Sequence, residues 1–118
     1  MKHQSGNKKL NVKPAHRRSM LRNHVIHFID NGYLITTKPT VKEVKRLAER
    51  VTTIAKAGKD FNSYRKIKAL LPYKKSSIDK LFNEIAPKYI ERPGGYTRII
   101  NIGSRMRDTA KISRLEWV

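Results

Sequence analysis

The chain has 118 residues and no cysteine, and its 27 Lys and Arg outweigh 9 Asp and Glu to leave a net charge of +18. A chain of this length is expected to make one domain, burying roughly 65% of its unfolded surface in a modest core. The composition excludes disulfide scaffolds and cysteine-based zinc sites. No apolar run is long enough to span a membrane, and the N-terminus lacks the apolar stretch of a secretory signal.

Residues 1–29 hold seven Lys and Arg and no acid, whereas residues 30–91 hold fourteen against seven and residues 92–118 hold six against two. So much uncompensated charge calls for a polyanionic partner, and the acid-free end is where it should sit. Residues 1–13 are almost devoid of apolar side chains and read as a basic N-terminal arm that orders on its partner. Residues 14–118 read as a single α/β domain.

Pro14 suits the first turn of a helix, which should run to Asp30 and stop at Asn31-Gly32. Leu21, Val25, Phe28 and Ile29 form its buried stripe. Arg17, Arg18 and Arg22 flank that stripe, with His16 and Asn23 beside them. Tyr33–Thr37 is aromatic and β-branched between Gly32 and Pro39, and predicts a short strand. Thr40 to Glu43 fits a capping box that would open a second helix ending at Gly58. Its core face is Val41, Val44, Leu47, Ala48, Val51, Ile54 and Ala55. The opposite face, with Lys42, Lys45, Arg46, Glu49 and Arg50, reads as a solvated surface.

A third helix, capped by Asp60, should span residues 60–71 and end before Pro72. A fourth should start at Ser76 or Ser77, bury Ile78, Leu81, Phe82 and Ile85, and end or kink at Pro87. Two strands, 96–102 and 110–117, complete the chain, joined by "GSRMRDT" with Arg105 and Arg107 at its tip. The order is α-β-α-α-α-β-β.

No catalytic constellation emerges, because the acids are scattered singly and no nucleophile sits beside a base. His24 and His27 could share a helix face, but their cationic surroundings oppose a metal. No cofactor or small-molecule substrate is expected. What remains is phosphate binding without a sequence code. Lys2, Lys8, Lys9 and Lys13 would act from the arm, Arg17, Arg18 and Arg22 from the first helix, and Arg98, Arg105 and Arg107 from the hairpin. Such a surface suits structured RNA, with an architectural DNA-binding protein as the alternative. A membrane-surface role is disfavoured, since the most amphipathic helix lacks Trp or Phe on its apolar face.

Four stretches in order carry a resemblance. They are the opening with His3, Gly6, Leu10 and Asn11, then "HRRSMLRN", then "ITTKPTVKEVKR" with "TIAKAG", and finally "KLFNEIAPKYIERPGGYTRI". Together they are similar to the bacterial family of large-subunit ribosomal protein seventeen, over nearly the whole length. Ser19 stands where the family usually has alanine, and Arg107, Thr109 and Lys111 stand where it commonly has glycine, asparagine and proline. Residues 59–77 match poorly. The resemblance implies helices packed on one side of a small mixed three-stranded sheet. It also implies a structural role on large-subunit ribosomal RNA, beside neighbouring large-subunit ribosomal proteins near the exit side of the peptide tunnel. It implies no catalysis, adds His3 to the expected RNA contacts, and places the protein in the cytoplasm ahead of an organellar ribosome.

Overall fold

A computed structural model describes residues 8–72 and 74–118. Helix α1 (Pro14–Asn31) begins at the proline and ends at Gly32, whose φ of 83° is left-handed and lets its amide reach the Phe28 carbonyl. Strand β1 (Tyr33–Thr37) follows immediately. Helix α2 (Lys38–Lys56) starts earlier than the capping box predicts. The Thr40 hydroxyl bonds Thr37 Oγ1 at 2.9 Å, and Glu43 turns inward instead of reaching back. Pro39 in the first turn is the reason, because its fixed φ is already helical and it has no amide to satisfy.

Helix α3 (Phe61–Leu70) carries the Asp60 cap as expected, accepting the Ser63 amide at 2.7 Å. Helix α4 (Lys75–Lys80) continues as a wide π turn over Leu81–Ile85 and a tight 3-10 turn over Ala86–Tyr89. The widened turn lies directly ahead of Pro87, where a regular helix would clash with the ring and lose a bond. Ile78, Leu81, Phe82 and Ile85 are buried as the pattern requires.

Strands β2 (Thr97–Ser104) and β3 (Lys111–Trp117) form an antiparallel hairpin with an irregularity between Asn101 and Gly103. Gly95, at φ 62°, takes the turn that leads into it. β1 pairs with the other side of β3, also antiparallel, so the order is β1-β3-β2. The sheet is therefore antiparallel throughout and not mixed. The two strands that run the same way, β1 and β2, are kept apart by β3.

Alternation along the strands separates two faces. Leu34 and Leu115 are directed into the core beneath α1 and α2, while Tyr33, Ile35 and Ile100 are exposed on the other side. One cluster joins α1, α2, α3, the π turn and the sheet. Phe28 stacks on Trp117 with ring centroids 4.4 Å apart, and Tyr89 packs against both Tyr96 and Trp117. Glu49, on the face of α2 expected to meet solvent, instead accepts the Thr97 hydroxyl at 2.8 Å and fastens α2 to the start of β2.

Candidate nucleic-acid interface

Residues 8–13 of the arm lie against the body. Glu43 is 5% exposed, and its carboxylate gathers three groups. Arg17 Nη2 reaches Oε2 at 3.0 Å, the Lys8 amide donates to Oε1 at 3.2 Å, and Arg46 approaches Oε1 at 3.9 Å. Arg17 Nε donates to the Lys8 carbonyl at 2.6 Å, so one guanidinium holds both the buried acid and the arm. Leu10 packs against the core, and Leu10 and Asn11 turn the chain with φ near 57° and 56°. Arg17 thus clamps the arm to the body. Lys2 and His3 lie outside the described residues.

The other expected contacts divide by their partners. Lys9, Lys13, His16, Arg18 and Asn23 are exposed on the arm and the outer side of α1. Arg22 is half-buried, with one guanidinium nitrogen 3.3 Å from the Ala69 carbonyl. In the hairpin, Arg98 Nε donates to Glu116 at 2.7 Å and Arg114 Nε donates to its other oxygen at 3.2 Å. The hydrogen bond from Arg98, above all, holds the Glu116 carboxyl below its ordinary pKa. Arg105 grips Asp108 in a two-pronged pair at 3.1 and 2.6 Å, while its amide and carbonyl bond Ala110 and Thr109. These two arginines remain exposed but spend part of their charge inside the protein. Arg107 is exposed, with no partner among the described residues.

Two further arginines, Arg46 and Arg50, stand beside the expected contacts of α1. Arg18, Arg22 and Leu21 from α1, Arg46, Arg50 and Leu47 from α2, and Leu70 from α3 line one groove of about 460 Å³. A signal for it existed, since Lys42, Arg46 and Arg50 recur at four-residue spacing and make a cationic stripe along one side of α2. The α1 stripe is brought beside it only by packing. A second groove, of about 520 Å³, brings Lys8, Lys38, Lys42 and Lys111 together from the arm, the start of α2 and the hairpin.

Burial, together with neighbouring His27, lowers the His24 pKa, and Asn31 bonds the His27 ring at 3.1 Å. No group of three His, Asp or Glu converges among the described residues. No described helix is long and apolar enough to cross a membrane.

Comparison with known proteins accords with this geometry. A sequence model of the family described as Ribosomal protein L17 matches residues 20–118. The large ribosomal subunit protein bL17 of Sulfurovum sp. (strain NBC37-1) is 43% identical over 118 residues, covering 100% of both chains. That of Clostridium novyi (strain NT) is 44% identical over 111 residues, 94% of this chain and 96% of its own. That of Campylobacter jejuni subsp. jejuni serotype O:23/36 (strain 81-176) is 41% identical over 118 residues, 100% of this chain and 99% of its own. With the α+β fold, the basic surface and identity that extends through the arm, the chain belongs to the ribosomal protein L17 family.

Proposed function

We propose that the protein is a structural constituent of the large ribosomal subunit that holds ribosomal RNA through its arm, α1, the cationic side of α2 and the hairpin. The observation that carries this reading is the convergence of arginines from α1 and α2 on one groove, on a chain of net charge +18. The exposed cations Lys9, Lys13, Arg18 and Arg107, with Lys2 and His3 before them, neutralise phosphates. His16 and Asn23 supply hydrogen bonds beside them. Arg17, Arg98 and Arg105 keep the arm and hairpin in register with that surface, and Arg22 adds charge within the groove. Residues 14–118 act as one domain, and the arm completes its ordering on RNA. Family membership favours RNA over DNA and the bacterial cytoplasm as the location. It also favours a scaffold in place of an enzyme.

The open face of the sheet is the surface offered to neighbouring large-subunit proteins. Tyr33, Ile35 and Ile100 are exposed there, and Arg114 lies over the Tyr33 ring at 4.4 Å. Aromatic, aliphatic and arginine side chains together are the usual composition of a protein interface.

The test is a salt titration of binding to transcribed large-subunit ribosomal RNA fragments and to DNA of the same sequence. Affinity for RNA should exceed that for DNA and fall by about 0.7–0.9 log units per phosphate contacted, per log unit of salt. A flat salt response sinks the electrostatic account. Absence of the protein from large subunits on a high-magnesium sucrose gradient sinks the ribosomal one.

A further inference from the structure

The groove between α1 and α2 is unlike a plain basic patch, because its floor is apolar. Leu21, Leu47 and Leu70 line it, while cations stand on both walls: Arg18 and Arg22 on α1, Arg50 on α2. Arg18 and Arg50 are exposed and have no partner among the described residues. A duplex backbone presents mainly phosphates and hydroxylated sugars, which meet the walls better than the leucines. An unstacked base has the missing property, with apolar faces, a polar edge and a phosphate on either side. The volume, about 460 Å³, lies in the range of sites that enclose small ligands. Five arginines around a single Glu43, itself occupied by Arg17 and Lys8, leave the groove strongly cationic.

We infer that this groove receives a single extruded nucleotide of RNA. Its base lies over Leu21 and Leu47, an arginine guanidinium covers its other face, and the adjoining phosphates meet Arg18 and Arg50. The inference rests on the RNA-binding reading above and adds that the site selects a bulged or single-stranded position over continuous duplex.

Two short RNA hairpins of the same length test it, one fully paired and one carrying a single bulged 2-aminopurine. The whole protein should bind the bulged hairpin about tenfold more tightly, with a change in 2-aminopurine fluorescence. Leu47→Gln should abolish the preference for the bulged hairpin. Arg50→Gln, at an exposed position where folding is not at stake, should weaken the bulged complex more than the paired one. Lys68→Gln, on the exposed side of α3, should affect both equally. Equal, salt-dependent affinities for the two hairpins overturn the nucleotide pocket and leave the RNA reading standing. Salt-independent binding, or none, to either hairpin removes that reading as well. Polyglutamate that reverses the fluorescence change while the hairpin stays bound would assign the groove to an acidic peptide and overturn the inference.

Discussion

Arg17 Nη2 stands 3.0 Å from Glu43 Oε2, and through that pair the arm, α1 and α2 are fastened to one buried carboxylate. Two residues 26 apart, in different helices, decide where the basic arm leaves the body. Breaking the pair from the arginine side strands a carboxylate that has little access to water, whereas breaking it from the acid side only releases two donors.

Arg17→Ala should therefore cost more stability than Glu43→Gln. We expect about 1–3 kcal/mol for the former, moderated because Arg46 remains nearby and Arg17 is partly exposed. Denaturant melts measure the difference, and limited proteolysis should show earlier cleavage of the arm in both variants. Equal melts and unchanged cleavage would mean that the clamp is incidental.

Asp30 contributes to the pH dependence of stability. Burial works to raise its carboxyl pKa, but hydrogen bonds from Lys74 and Ser77 outweigh it and hold the group below its ordinary value. The folded pKa is thus lower than the unfolded one. The stability this group contributes is present above the unfolded carboxylate range and is lost as pH falls through the folded pKa. Asp30→Asn should cost about 1–2 kcal/mol near neutral pH and flatten the acid side of the stability curve. A curve parallel to that of the parent chain would refute this.

Thr109 has φ 54°, a left-handed conformation that a β-branched residue adopts at a cost. Thr109→Gly should raise stability by about 0.5–1 kcal/mol, and Thr109→Asn by somewhat less. A thermal melt reads this directly, and a lower melting temperature for both variants would show that the Thr109 hydroxyl contact to the Asp108 carbonyl outweighs the strain.

The two loop arginines should separate by what they already hold. Arg107→Gln should weaken RNA binding about two- to fivefold and reduce the salt slope by about 0.7–0.9, with no change in the melt. Arg105→Gln removes the grip on Asp108 and should loosen the loop as well, visible as faster amide exchange at Thr109 and Ala110. Indistinguishable effects of the two substitutions would contradict the division of roles.

Elements whose start and stop signals are local were legible in the chain. Pro14 and Gly32 bound α1, Asp60 caps α3, and the β-branched run Tyr33–Thr37 forms β1. Thr40 misled because a capping box is a pattern of two side chains, and Pro39 with Thr37 offered the backbone an earlier start. Arg46 and Arg50 are exposed, as the helical pattern requires, but a helical wheel shows only which side of α2 leaves the core, not that α1 brings Arg18 and Arg22 beside it.

Charge, its crowding into the first 29 residues, and the periodicities of α1 to α4 follow from residue order alone, and they suffice for an α+β body that seeks a polyanion. Only packing decides which cations remain available. Arg17 is drawn to Glu43 and Arg98 to Glu116, while Arg18 and Arg50 are left lining one groove. The reason is distance: a Coulomb interaction depends on separation in space, and the chain sets separation only within a few residues.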